Sequence, residues 1–271
     1  MRLTNPDIVR SITSQWEGDR DENGRPLVPK DILKRMELVT TEEAWGVLRR
    51  NDYFHNFCGN FINLHPDRVL VGRAVTCRWV PRRPDVHEAI DKQGEQDGRV
   101  GFQNSWVIDE LVEDDVLVVD MFGKVRDGTF AGDNLATAIK VNTRRGMVID
   151  GGIRDTQRIV EMPDFNAFIG GMDPSAIADV SMPEINGVTR IREATCVPGD
   201  VVLGTLTGVI FIPAHLAEAV VIRSEEVRMR DEFGQQRIAE GVYTPGEVDR
   251  QYSPEMEEDF ARWAENRRKQ G

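Results

Sequence analysis

Cysteine is scarce in this chain: Cys58, Cys77 and Cys196 stand far apart, with no C-x-x-C pair. That spacing argues against a disulfide framework and suits a reducing compartment. No stretch approaches the ~18 consecutive apolar residues that a membrane span needs. The opening residues, MRLTNPDIVR, carry no apolar segment of the kind that directs secretion. Positive charge is in deficit, with 34 Lys and Arg against 46 Asp and Glu, a net charge of −12. Such a chain offers no electrostatic footprint for nucleic acid or an anionic membrane, although single basic side chains can still grip a small anion. There is no internal repeat, no low-complexity tract, and no strand-linked G-x-G-x-x-G ahead of a helix. The expected setting is cytoplasmic.

What is present is core-forming material. The chain has 271 residues, 40% of them hydrophobic, enough for one domain with arms. Its centre is Val116–Gln157. Val116-Leu117-Val118-Val119 reads as a strand buried on both faces. A loop with Gly123, Gly128 and Gly132 follows. Asp133 or Asn134 is expected to cap a helix whose apolar face is Leu135, Ala138, Ile139 and Val141. Arg144 and Arg145 fall in its last turn and Gly146 is expected to stop it. Met147-Val148-Ile149 is the next strand, and a Gly151-Gly152 turn then carries Arg154 and Asp155.

Two chemical features meet here. The helix mouth at Gly132, Asp133, Asn134 and Leu135 presents free backbone N–H groups and a positive dipole end, a ready anion site. Plain helix capping would compete for the same amides. Arg154 and Asp155 follow the next strand, so in a parallel unit they reach the same sheet edge, where such sheets bind ligands. A guanidinium for an anion and a carboxylate for a cation would then share one pocket.

The flanks are less specific. Residues 1–30 read as an arm, laid on the core, on a neighbour, or loosely packed. Thr40 or Thr41 ahead of Glu42 and Glu43 marks a helix start. Arg68–Trp79 alternates as one or two strands broken at Gly72. Residues 82–101 are hydrophilic, a solvated loop with a short helix or a flap, and a lone His87-Glu88 dipeptide is too little for a metal site. Cys77 reads as a small buried hydrophobe. Asn186-Gly187 suggests a hairpin, and the short strands that follow suggest a second, partly antiparallel layer. After Arg223 the chain is charged, with Phe260 and Trp263 in a late helix as its only large apolar anchors, and is expected to wrap a neighbouring subunit or to form a solvated extension.

AGDNLATAIKVNTRRGMVIDGGIRD, preceded by VLVVD, resembles the signature of the RraA-like family, which includes the class II 4-hydroxy-4-methyl-2-oxoglutarate/4-carboxy-4-hydroxy-2-oxoadipate aldolases. VGRAVTCRWVP, TTEEAWGVL and CVPGDVVLGTLTGVIFIP are similar to further family segments in the same order. The resemblance spans roughly Thr40 to Ile222. It implies an α/β/β/α sandwich of the swivelling, phosphohistidine-domain-like type. The expected layout is an N-terminal arm at 1–30, a catalytic domain at 31–222 and a C-terminal helical extension at 223–271. It also implies a homotrimer or homohexamer with sites between subunits.

The resemblance further implies roles. Backbone amides of Gly132, Asp133, Asn134 and Leu135 would hold the carboxylate of a pyruvate moiety. Arg154 would contact the pyruvate oxygens, and Asp155 would anchor Mg²⁺ or Mn²⁺ with water. The expected activity is that of a divalent-metal lyase on a 2-oxo acid, by aldol cleavage or oxaloacetate decarboxylation, with Arg154 and Asp155 catalytic. That agrees with chemistry, since a pyruvate enolate needs a Lewis acid and a fixed positive charge. No Schiff-base lysine is required of Lys124 or Lys140. The alternatives are a non-enzymatic regulator that binds a ribonuclease, against which the intact Arg154–Asp155 pair speaks, and other chemistry on a related sugar or keto acid. Thr205 stands where the family commonly has an acid, which removes a carboxylate from that segment.

Overall fold

The computed structural model describes residues 3–268. The ends of both expected arms, 1–2 and 269–271, lie outside the described residues. The helices are α1 (Pro6–Ile12), α2 (Lys30–Met36), α3 (Thr41–Arg50), α4 (Pro84–Gln96) and α5 (Gln103–Ile108). They continue with α6 (Asp133–Thr143), α7 (Thr156–Val160), α8 (Ala217–Ala239), α9 (Pro245–Val248) and α10 (Pro254–Arg268). The first six strands are β1 (Phe57–Cys58), β2 (Ile62–Asn63), β3 (Leu70–Pro81), β4 (Asp115–Asp120), β5 (Thr129–Ala131) and β6 (Gly146–Ile153). The rest are β7 (Asn166–Met172), β8 (Val180–Ile185), β9 (Thr189–Ile191), β10 (Ala194–Cys196), β11 (Val201–Gly204) and β12 (Val209–Ile212). By its contacts the chain divides into two units, Met1–Val220 and Val221–Gly271.

Ten strands of the first unit form one curled mixed sheet, ordered β1-β12-β11-β3-β4-β6-β7-β2, with β5 branching from β6 and β8 from β3. Its centre, β3-β4-β6-β7, is parallel. The VLVV run does what its composition requires. Leu117 and Val119 pack with Ile90, Trp106, Ala136 and Ile139 under helices α4, α5 and α6. Val116 and Val118 face the other way, against Phe168, Phe211, and Ile191 and Ala194 of the separate β9–β10 ribbon. Alternate residues of a strand point to opposite faces, so a strand covered on both sides must be apolar throughout.

Several expectations are corrected. Strand β3 is not broken at Gly72; a β-carbon there would sit 2.6 Å from the Asp114 carbonyl oxygen, so the glycine admits a neighbouring backbone. Residues 84–96 are a full helix, α4. Asn186 takes a left-handed conformation, φ 55°, but the strands on either side of Asn186-Gly187 do not pair with each other. β8 joins the main sheet and β9 joins the ribbon, so the turn passes the chain between layers.

Residues 3–30 are neither loose nor free. Val9 and Val28 are buried. Arg25 donates from Nη1 and Nη2 to the Asp115 carboxylate at 2.8 and 3.0 Å, and from Nε to Asp21 at 2.9 Å. Asp115 opens β4, so this ion pair clamps the arm to the central sheet.

In the second unit Phe233 is fully buried and meets the rings of Tyr243, Tyr252, Phe260 and Trp263. Phe260 and Trp263 are therefore not its only large anchors. Arg237 pairs with Asp259 at 2.7 Å and Arg230 with Glu257 at 3.0 Å. The segment folds on itself.

Candidate functional site

The βαβ unit from β4 to β6 builds the site. β5 pairs in parallel with the end of β6, Ala131 opposite Ile153, and the Arg154 N–H donates to the Ala131 carbonyl at 3.0 Å. That pairing sets Gly132 beside Arg154 and Asp155. A β-carbon on Gly132 would lie 3.0 Å from Arg154 Nε and would collide with Asp155 Oδ2. A larger residue at 132 would push these two side chains away from the helix mouth. Arg154 Nε and Asp155 Oδ2 stand 3.6 Å apart, and both side chains are close to half exposed. Asp155 adopts φ 55°, the left-handed region, which aspartate tolerates better than most residues.

The helix mouth differs in detail from expectation. The cap residue is Gly132, with no side-chain cap bond, and α6 starts at Asp133. Asp133 Oδ1 accepts from the Asn134 N–H at 2.9 Å, so that amide is already engaged. The Asp133 and Leu135 amides have no hydrogen bond among the described residues. At the other end Arg144, not Gly146, closes the helix in a left-handed turn, φ 57°, and Gly146 begins β6. Val141 is exposed; the buried positions are Ala136, Ile139 and Thr143.

A cavity of about 410 Å³ lies at this mouth, lined by Asp133, Asp155, Thr156, Gln157 and Arg158. Asp133 and Asp155 share this cavity; Arg154 does not line it but stands beside Asp155 and Gly132. Arg158 was missed by the sequence reading. It follows Asp155 by three positions, one helical turn, and that spacing was the available signal. Its Nη1 binds Asp133 Oδ2 at 2.9 Å, and the hydrogen bond from Arg158 holds the Asp133 carboxyl below its usual range.

Other sequence candidates fall elsewhere. Lys124 Nζ donates to the Ala178 carbonyl at 2.7 Å. The Thr205 hydroxyl meets that of Thr41 at 2.6 Å. His87 bonds Ser181 Oγ at 2.7 Å and stands 3.4 Å from Asp91, a Ser-His-Asp outline whose serine is fully buried and closed to substrate. Glu88 points to Lys92 instead. All three cysteines are buried, and burial pushes the Cys58 and Cys77 thiols up, away from reactive thiolate.

Among the described residues no three His, Cys, Asp or Glu side chains gather as a metal cage. The site nevertheless puts hard carboxylate oxygens of Asp155 and Asp133 on one open cavity. Mg²⁺ and similar ions accept one or two such donors and keep water for the rest. Both Asp133 oxygens are already engaged, by Asn134 and Arg158, so Asp155 is the residue that fits a divalent ion of that kind.

The profile of the RraA-like family, described as Aldolase/RraA, matches residues 50–211, the whole βαβ unit included. The chain belongs to the RraA-like family. It is 29% identical over 132 residues to a Halalkalibacterium halodurans protein named "Putative 4-hydroxy-4-methyl-2-oxoglutarate aldolase", covering 47% of this chain and 60% of that one. It is also 29% identical over 179 residues to protein DlpA of Legionella pneumophila, covering 64% of this chain and 26% of that one. The chain therefore spans between a quarter and three fifths of these curated relatives. Streptomyces coelicolor RraAS2, described as an unusual member of the RNase ES inhibitor RraA family, superposes with a TM-score of 0.67 at 22% identity, over 79% of this chain and 98% of that one. A Pseudomonas syringae protein superposes with a TM-score of 0.68 at 19% identity, over 86% of this chain and 98% of that one. These neighbours show the RraA-like α/β fold that the resemblance implied, seen in this chain as a curled mixed sheet with helices. Among the described residues no helix is long and apolar enough to cross a membrane.

Proposed function

We propose that this RraA-like protein is a divalent-metal-dependent lyase that forms or uses a pyruvate enolate, cleaving a 4-hydroxy-2-oxo acid or decarboxylating oxaloacetate. The observation that carries the reading is the meeting of Arg154, Asp155 and the α6 mouth at Gly132. In this reading the Asp133 and Leu135 amides receive the substrate carboxylate, helped by the helix dipole. Arg154 offers a planar fork to the oxygens of the 2-oxo acid. Arg158 neutralises Asp133, which would otherwise repel an anionic substrate. Asp155, with Asp133 beside it on the cavity, is the carboxylate that would hold Mg²⁺ or Mn²⁺. The ion supplies Lewis-acid stabilisation of the oxygen on which negative charge develops.

Decarboxylation of oxaloacetate needs no base. As CO₂ leaves, the electron pair of the broken C–C bond moves into the enolate, the guanidinium of Arg154 meets the charge on its oxygen, and a proton taken from solvent at the enolate carbon completes pyruvate. Oxaloacetate is therefore a direct probe, independent of the natural aldol. Purified protein with Mg²⁺ or Mn²⁺ should release pyruvate, and Asp155→Ala should lower kcat by about 100-fold or more. A rate indifferent to chelator, or unchanged in Asp155→Ala, would overturn the reading. We further propose that the site is completed in a homo-oligomer, a trimer or hexamer, because both charged side chains stand close to half exposed in the single chain.

A further inference from the structure

A second cavity, of about 380 Å³, lies where the N-terminal arm crosses the chain ahead of β1, remote in sequence from Arg154 and Asp155. Its walls are largely apolar and aromatic, with Ile12, Trp16, Tyr53 and Phe54 among them. Asp52 and Asp200 bring carboxylates to its lining, no Lys or Arg lines it, and His55 and His215 bring imidazoles. Asp200 is only 3% exposed. One of its oxygens, Oδ2, accepts from the Val197 N–H at 2.9 Å. The other, Oδ1, has no partner among the described residues, and Asp200 takes part in no ion pair there. The imidazole of His215, beside Tyr53 at 3.5 Å, is no substitute cation, because burial lowers its pKa. A carboxylate this deep without a counter-ion is costly. Burial accordingly raises Asp200 to about 7, a load that a cation in the cavity would relieve.

We propose that this cavity binds a small organic cation, an amine carried on an apolar or aromatic body, with Asp200 as its counter-ion and the rings of Trp16 and Tyr53 as its walls. An ammonium group gains from a desolvated carboxylate and from aromatic faces together, and the cavity is of a size for a small ligand. Above the raised pKa of Asp200 an anion of the same shape meets two carboxylates and no Lys or Arg, so the site discriminates by charge. This binding is independent of the lyase reading; it uses none of those residues and is measured without turnover.

The test is titration calorimetry of the whole protein with phenethylamine, and with phenylacetate as its anionic counterpart. Phenethylamine should bind saturably and phenylacetate should not. Asp200→Asn keeps an acceptor for the Val197 N–H but removes the charge, and should weaken the amine by roughly tenfold or more. Should that variant fail to fold, Thr195→Lys replaces an exposed lining residue, where substitutions rarely disturb stability. Its ammonium should compete with the ligand and weaken binding by a similar factor. Equal binding of the two probes, an amine affinity untouched in the folded variants, or no saturable heat from phenethylamine would each overturn the proposal.

Discussion

At the scale of single residues, position matters more than residue type. Arg154 and Asp155 are two of many charged side chains, and Gly132 is one of 24 glycines. They stand together at the α6 mouth, where Gly132 has no β-carbon to displace the two side chains. Asp200 shows the opposite, a residue whose surroundings no local pattern announces. It follows Pro198 and Gly199 as an ordinary turn aspartate, yet burial raises it from 3.8 to about 7. Below about pH 4 the carboxyl is neutral whether the chain is folded or not, and it costs nothing. As pH rises toward 7 the unfolded chain releases this proton while the folded chain keeps it, so stability falls across that window. Asp200→Asn abolishes that dependence. Its melting temperature relative to wild type should therefore climb between about pH 4 and pH 8. Thermal scans across that range check it, and a constant offset would contradict the assignment.

At the scale of elements, strong periodicity was legible and boundaries were not. The capping box of α3, Thr40 with Glu43, is present as its sequence indicates. The run Val116–Val119 became a central strand for the reason its composition suggested. The end of α6 was misplaced because Arg144 adopts a left-handed turn that glycine more often supplies. Gly146 was needed elsewhere, since a β-carbon there would overlap the carbonyl of Asn166. The arm was undecided from sequence, because the partner of Arg25 is Asp115, 90 positions away. That pair lies in a buried setting, Arg25 2% and Asp115 0% exposed. Arg25→Met leaves the carboxylate with Arg73 Nε at 3.5 Å as its remaining close cation. Unfolding in urea should show a loss of about 3 kcal/mol, the scale for breaking one side of a buried pair. A loss below about 1 kcal/mol would mean that the arm is held by apolar contacts such as Val9 and Val28 instead.

At the scale of the whole molecule, the two units carry separate cores. The first buries both faces of its sheet, and the second closes around Phe233. If the lyase site is completed between subunits, light scattering at micromolar concentration should give a multiple of the 30.6 kDa chain mass. A monomer at that concentration would count against a shared site.

The sequence alone determined the α/β class, the strand and helix of the central unit, and the residues expected to bear the chemistry. Those signals are local, carried by apolar periodicity, glycine placement and a short motif, and local signals survive in one dimension. Tertiary structure alone decided that Gly132 would touch Arg154 and Asp155, that Arg158 would neutralise Asp133, and that Arg25 would clamp the arm. It also sealed Asp200 beside a cavity without a counter-ion. Each of these depends on distances between groups far apart in the chain, and burial then sets their electrostatics; neither quantity exists until the chain has closed on itself.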